Sequence, residues 1–305
     1  MAIQCYENLS EDVRKLFKLD TRCTSYVMGV VDEEQFLGHV YYGERLNDYH
    51  LAHELRIQEG PFVPSRNNRD RGSFLDSFPM EYPAHGLGDY REDAVSIETL
   101  SGNTGLSLNY VSHRILKGKP ALAGLPASFG GEEDCESIEI LCEDAFTGLQ
   151  AALLYTVFEQ ADVITRSVRI INKGKEAFYL TKVISASIDM DNREFKAISL
   201  HGSWARERQI QTVPVSHAKL SVESTRGESS HQDHPFLALK TKGTDQEHGE
   251  VYAMHFVYSG NFKALVQNDQ FDQVRMMMGI HPEDFKWKLM PGEEFQAPEV
   301  VYSHE

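Results

Sequence analysis

The sequence predicts an all-β fold, a large antiparallel sandwich with few or no long helices. Short runs rich in Val, Ile, Tyr and Phe recur along the chain, separated by Gly, Pro and Asn. That is the punctuation of strands and turns. No amphipathic helix of three turns stands out, so helices cannot supply the layers of the core. With 305 residues, 41% of them hydrophobic, the chain can bury a large core. At about 14 residues for each strand and its turn, this gives roughly 18–22 strands. No long-period repeat is visible, which argues against a propeller.

The elements follow in order. Ser10-Glu-Asp-Val13 looks like a helix start, with Val13, Leu16 and Phe17 on one face. The β-rich runs 26–31 and 36–42, split by the turn-like Asp32-Glu-Glu-Gln35, contradict it, and strands are expected throughout. Residues 43–77 are loop-rich, and Arg66-Asn-Asn-Arg-Asp-Arg-Gly72 has no large apolar side chain to anchor it. It reads as a solvated loop, or as a polar finger in which Arg71 forks two hydrogen bonds to vicinal oxygens.

Residues 78–91 then combine Pro79, Pro83, Gly86 and Gly88 with Glu81, His85, Asp89 and Arg91. The prolines hold the chain extended and withhold backbone donors, and the glycines permit angles that a side chain forbids. An ordered loop held by flanking strands is expected. Further on, Ile138, Ile140 and Cys142 alternate with Ser137, Glu139 and Glu143, which suggests a strand with one wet face. Residues 149–158 are apolar at both parities, so that strand should be covered on both sides.

Asn172-Lys-Gly174 is the strongest hairpin turn, expected to join strands 163–171 and 178–188. Arg166 shares a face with Ile164, Val168 and Ile170. If buried it needs a carboxylate partner. Strands resume at 237–240, 251–258, 263–268 and 274–280, and Pro291-Gly292 turns between two short ones.

Charge narrows the partners. A net charge of −16 without a basic stripe argues against nucleic acid and against anionic membrane surfaces. Neutral ligands such as sugars remain open. No apolar run is long enough to span a bilayer, and the N-terminal residues carry no export signal, so a cytoplasmic location is expected. Cys5, Cys23, Cys135 and Cys142 have no Cys-x-x-Cys spacing and read as free thiols.

Site chemistry is sparse. His50 and His53, and His231 and His234, have three-residue spacing, but their loop and strand surroundings favour hydrogen-bonding roles over a metal. Gly118-Lys-Pro and Gly124-Leu-Pro-Ala-Ser-Phe-Gly-Gly131 lack the ending of a phosphate loop, and no Gly-x-Ser-x-Gly elbow is present. With 46 Asp and Glu residues, a chance close pair of carboxylates is uninformative. Trp204 and Trp287 could stack on sugars, but core or sheet packing is the expected role of each.

Several stretches, taken in series, resemble one family. They are Tyr41-Tyr-Gly-Glu-Arg-Leu46, Glu81-Tyr-Pro-Ala-His-Gly-Leu-Gly-Asp-Tyr-Arg91, Ile115-Leu-Lys-Gly-Lys-Pro-Ala-Leu-Ala-Gly-Leu-Pro-Ala127 and Val163-Ile-Thr-Arg-Ser167. Gly202-Ser-Trp-Ala-Arg-Glu-Arg208, Arg226-Gly-Glu-Ser-Ser-His-Gln-Asp-His-Pro-Phe236 and Phe295-Gln-Ala-Pro-Glu-Val300 complete the series. In this order they are similar to the N-terminal domain of bacterial α-galactosidases of glycoside hydrolase family 36. The resemblance implies a galactose-mutarotase-like β-supersandwich over residues 1–305, ending at the junction to an absent catalytic (β/α)8 barrel. It implies a parent enzyme that removes terminal α-galactose from melibiose and raffinose-type oligosaccharides with retention, without a metal or cofactor, commonly as a homotetramer.

The family's nucleophile follows Lys-Trp-Asp, whereas here Lys286-Trp287 is followed by Lys288. No catalytic residue is therefore assigned, and the chain alone is expected to be inactive. The resemblance places residues 67–72 at the loop that reaches a neighbouring subunit's active site, with Arg71 and Asp70 as candidate substrate-binding residues. The alternative is a stand-alone carbohydrate-binding or mutarotase-like sandwich. An adhesin-like role is disfavoured by the missing export signal.

Overall fold

Twenty strands and three short 3-10 turns account for the regular structure of the described residues, and no α-helix occurs among them. The computed structural model describes residues 2–9, 13–31, 35–48, 50–55, 74–86 and 88–305. The strands form three sheets. The first is a four-stranded meander of β1 (Ile3–Glu7), β2 (Val13–Asp20), β3 (Thr24–Val31) and β4 (Phe36–Glu44).

The helix-like spacing of Val13, Leu16 and Phe17 has a simple origin. Neighbouring residues of a strand point to opposite faces. Leu16 packs with Val27 and Leu51 on one side of the sheet, while Phe17 enters the main core on the other. A sheet covered on both faces buries adjacent residues, and every residue of β3 is buried.

The second sheet has ten strands. Its main path runs β12 (Arg206–Pro214), β11 (Lys196–Ser203), β14 (Phe236–Lys240), β15 (Val251–Phe256), β20 (Val300–His304), β9 (Val163–Asn172), β8 (Leu149–Phe158), β7 (Glu136–Asp144), β6 (Asn109–Lys117), and β19 (Glu294–Gln296) joins it at β9. The third, six-stranded sheet runs β13 (Lys219–Ser224), β16 (Phe262–Asn268), β17 (Gln273–Ile280), β10 (Phe178–Asp191), β18 (Trp287–Leu289), with β5 (Val95–Thr99) also paired to β10. All ladders are antiparallel. One core joins the layers, with Phe17 and Tyr26 from the first sheet, Leu153 and Tyr302 from the second, and Val183 and Met276 from the third.

One expected hairpin is corrected. The chain turns at Asn172-Lys-Gly174, but β9 pairs with β8, β19 and β20, whereas β10 pairs with β5, β17 and β18. The turn therefore passes the chain from one sheet to another. Asn172 Nδ2 donates to the carbonyls of Glu176 (2.9 Å) and Leu289 (3.0 Å), and its Oδ1 accepts from Gly174 N (2.9 Å). A side chain at Gly174 would meet the Thr147 carbonyl oxygen at 2.1 Å. The polar turn signal was real, but it marks a corner clamped against a second loop.

Trp204 departs from the packing role expected of it, whereas Trp287 keeps part of that role. Trp204 sits at the β11–β12 turn and is 84% exposed, and Trp287 is 52% exposed while touching Phe295 with ring centroids 5.3 Å apart. The reason is local. β12 is an edge strand with no buried residue, so its turn lies beyond the core. Cys5, Cys23, Cys135 and Cys142 are unbridged.

Candidate functional site

The segment 78–91 is built around a carboxylate from which water is excluded. Pro79 and Pro83 hold it extended beside β4, where His39 N donates to the Pro79 carbonyl (2.7 Å) and Glu81 N to Leu37 (3.0 Å). That directs Glu81 inward, where it is completely buried. Arg166, also completely buried, answers it. Its Nη1 donates to Glu81 Oε1 (2.9 Å) and to the Ser187 carbonyl (2.6 Å), and its Nη2 donates to the Glu81 carbonyl (2.8 Å). Tyr26 (2.6 Å) and Tyr155 donate to the same carboxylate oxygen, and His39 Nδ1 lies 3.2 Å from the other. The guanidinium also sits over the Tyr155 ring, 5.1 Å from its centroid.

This is the buried carboxylate partner that Arg166 required. Burial alone would push the Glu81 carboxyl up, but Arg166, His39 and Tyr155 outweigh it and hold it below the ordinary range. Burial pushes the Tyr302 phenol up to about 12. With Glu81 and Arg166 both fully buried, the role of this pair is structural.

A second charged cluster lies at the other end of the segment. Arg275 grips Asp189 with two bonds of 2.7 Å and reaches Asp89 Oδ2 at 2.9 Å. Arg91 Nε donates to Asp89 Oδ1 (2.9 Å), and its Nη2 donates to the carbonyls of Phe78 and Leu75. Burial would raise the Asp89 carboxyl, yet Arg275 and Arg91 hold it low. Asp89 and Arg91 thus pair with each other, and Arg91 caps backbone carbonyls.

The capped carbonyls belong to the stretch where the chain returns from residues 56–73. Leu55 before that segment, and Leu75, Phe78 and Met80 after it, form one apolar cluster with Val13, Val31 and Phe36. Phe78 packs directly on Gly38, where an added Cβ would meet its ring at 2.5 Å. Both roots of the segment are therefore anchored. Arg71 and Asp70 themselves lie outside the described residues.

Between these roots and the end of β10 opens a groove of about 420 Å³. His39, Tyr41 and Tyr42 of β4 line one side, and Asp189, Asp191 and Arg193 with Tyr252 line the other. Arg193 Nη1 donates to Glu250 Oε2 (2.6 Å) and to Tyr252 Oη (3.2 Å), and Tyr252 Oη donates to Glu250 Oε2 (2.8 Å). That web fixes the second wall.

The other singled-out residues do not converge. His53 Nε2 lies 3.1 Å from its neighbour Glu54, and His85 Nδ1 lies 3.6 Å from Asp93. His231 and His234 border a separate hollow at the base of β11 and β12. Among the described residues no group of three or more His, Cys, Asp or Glu side chains is arranged to hold a metal ion. Lys119 pairs with Glu299 at 2.8 Å in a buried site, which explains its Gly-Lys-Pro setting without phosphate. Arg275 and His39 were not singled out from the sequence. A lone arginine among Val274, Met276, Met277 and Met278 is the same signal that marked Arg166.

Comparison with known proteins decides the family. The domain described as glycosyl hydrolase family 36 N-terminal domain matches residues 35–290. The chain belongs to that family. Alpha-galactosidase AgaA of Geobacillus stearothermophilus is 44% identical over 288 residues, covering 94% of this chain and 39% of that protein. Alpha-galactosidase Mel36A of Lactobacillus acidophilus is 38% identical over 297 residues, covering 96% of this chain and 40% of its own length.

A crystal structure of an AgaA variant in complex with raffinose superposes with a TM-score of 0.90 at 43% identity, over 95% of this chain and 40% of that one. The galactosidase domain of the α-galactosidase–sucrose kinase AgaSK superposes with a TM-score of 0.92 at 38% identity, over 99% and 42%. The family 36 chain described here thus spans about two fifths of the length of the relatives it matches.

Proposed function

We propose that these 305 residues are the N-terminal β-supersandwich of a retaining α-galactosidase, the whole protein hydrolysing terminal α-galactosides such as melibiose and raffinose-type oligosaccharides. The observation that carries this reading is the match to AgaA over 94% of this chain but 39% of the enzyme, at 44% identity. A retaining glycosidase needs two carboxyl groups about 5–5.5 Å apart across the scissile bond. We assign neither to this chain. In this reading they stand on a (β/α)8 barrel that follows the sandwich in the whole protein, and no metal or cofactor takes part. The unit is placed in a cytoplasmic homotetramer.

Within that assembly, residues 67–72 stand at the rim of a neighbouring subunit's active site. Arg71, with Asp70 beside it, contacts the sugar. A guanidinium offers paired donors that suit vicinal hydroxyls. The anchored roots of the segment, with Arg91 on the Leu75 and Phe78 carbonyls, support a loop presented from a rigid base.

The test has two arms. The 305-residue chain alone should not turn over nitrophenyl α-galactoside, and activity that survives purification would overturn the non-catalytic assignment. In the full-length enzyme, Arg71→Ala should lower kcat/KM on raffinose by about tenfold or more, with thermal stability unchanged. Unchanged kinetics would leave residues 67–72 as a solvated surface loop. Light scattering on the full-length enzyme reads the tetramer directly.

A further inference from the structure

We propose that β12 is a pairing edge for a second copy of this chain, joining two ten-stranded sheets across a twofold axis. This deepens the homotetramer reading above by giving it a surface and a register, and it rests on that reading only for the presence of more than one copy.

β12 is a nine-residue strand with no buried side chain and one neighbour, β11. Its outer edge has no strand partner among the described residues. Strands ordinarily gain stability from a half-buried face, and free edges are ordinarily blunted by charge, proline or a bulge. β6, at the opposite edge of the same sheet, follows that rule, with Arg114, Lys117 and a register shift after Tyr110. In β12 the irregularity is confined to one end. His201 faces Gln209 and Ser203 faces Arg206, so Glu207 and Arg208 form a bulge, with Arg208 at φ 56°. Beyond it stands Gln209-Ile-Gln-Thr-Val-Pro-Val215, without one charged group in a chain that is 25% charged. Ile210 in this run is 73% exposed. Ile210, Thr212 and Val213 are β-branched, the type that gains most from a cross-strand neighbour.

The bulge and Pro214 set the register. A twofold axis through an antiparallel pair places one residue opposite itself. At Gln211 it sets Gln209 opposite Val213 and Ile210 opposite Thr212 of the other copy, so every pair from 209 to 213 falls between the bulge and Pro214. At Ile210 it brings the bulged Arg208 into the ladder. At Thr212 it brings in Pro214, which has no N–H to give. The Gln211 register opposes no like charges, because the paired run carries none. The segment is thus its own complement, which is what commits it to a second copy. Such a contact is isologous, as closed assemblies require.

Analytical ultracentrifugation of the 305-residue chain tests this. A dimer with a micromolar dissociation constant is expected. Gln211 is exposed, and Gln211→Lys sets two like charges opposite each other. That variant should raise the dissociation constant about tenfold or more with its circular dichroism unchanged. Cysteines read the register, in a Cys23→Ser background because that thiol is exposed. Gln211→Cys should cross-link on mild oxidation, since paired Cα atoms stand about 4.5–5.5 Å apart. Val213→Cys should not, because its two copies are offset by about 13 Å along the strands. Should Gln211→Lys fail to fold, the cysteine variants decide.

The proposal is overturned if the chain stays monomeric at about 100 μM, if folded Gln211→Lys associates as the wild type does, or if Val213→Cys cross-links as readily as Gln211→Cys. It is also overturned if β12 amides are protected from hydrogen exchange only in the full-length enzyme, which would mean that the rest of the protein covers this edge. A tetrameric full-length enzyme with a monomeric 305-residue chain would remove the β12 pairing and leave the assembly reading standing.

Discussion

Replacing Arg166 with methionine tests whether the buried network at Glu81 holds the sandwich together. The substitution removes the guanidinium and keeps most of the aliphatic volume. Lost with it are the 2.9 Å bond to the Glu81 carboxylate, the 2.8 Å bond to the Glu81 carbonyl and the 2.6 Å bond to the Ser187 carbonyl. Glu81 remains fully buried, with Tyr26, Tyr155 and His39 as its remaining partners. Breaking a buried pair by removing one partner costs about 3–5 kcal/mol, because the other charge stays desolvated. For a domain of this size that corresponds to a drop on the order of 10 °C in melting temperature.

The decisive arm is the double variant Glu81→Gln with Arg166→Met. It removes both charges, and replacing a buried ion pair by uncharged groups is often close to neutral. Urea denaturation of the two single variants and the double variant closes the cycle. The double variant is expected to be more stable than Arg166→Met alone by about 2 kcal/mol or more. The reasoning fails if Arg166→Met loses less than about 1 kcal/mol, or if the two single costs simply add.

Acidification is expected to destabilise the domain in two stages. Burial holds His234, His255 and His304 below the ordinary histidine value of 6.5, so the unfolded chain binds more protons and stability falls as pH drops through that value. Glu81 and Glu92 are held below 4.5, Glu92 at about 2 where Lys182 and Lys219 outweigh its burial. Their contribution is complete above 4.5 and is lost as pH falls below it, for Glu92 towards about 2. Asp233, raised by burial, acts in the opposite direction. Melting temperatures measured across this range check the sign, and a flat or rising profile between 6.5 and 4.5 would contradict it. At the inter-sheet corner, Gly174→Ala should cost about 1–3 kcal/mol by forcing a methyl against the Thr147 carbonyl, whereas exposed Lys173→Ala should be nearly silent in the same denaturation assay.

What was legible in the sequence was local. Strand periodicity is a property of neighbouring residues, so β7, with its alternating Ile138, Ile140 and Cys142, and the doubly covered β8 both stand where the pattern placed them. Leu16 and Phe17 imitated a helix face because both sides of their sheet are covered, a fact about distant layers. β12 was not visible at all. An edge strand exposed on both faces has no alternation to read.

Composition and patterning by themselves determined an all-β sandwich of about this many strands. The same strings of residues that marked the family placed this chain in glycoside hydrolase family 36. They also stated that a buried Arg166 would need a carboxylate. Only the tertiary structure decided which one. Glu81 lies 85 residues away and was one of 46 acidic side chains. Strand partners were decided there too, so the turn after β9 opens onto another sheet. The groove beside His39 likewise comes from segments far apart in the chain. Alternation and turn chemistry act over a few residues and are written in order along the chain. Pairing, burial and charge compensation act through space, and space is set only when all the layers close on one core.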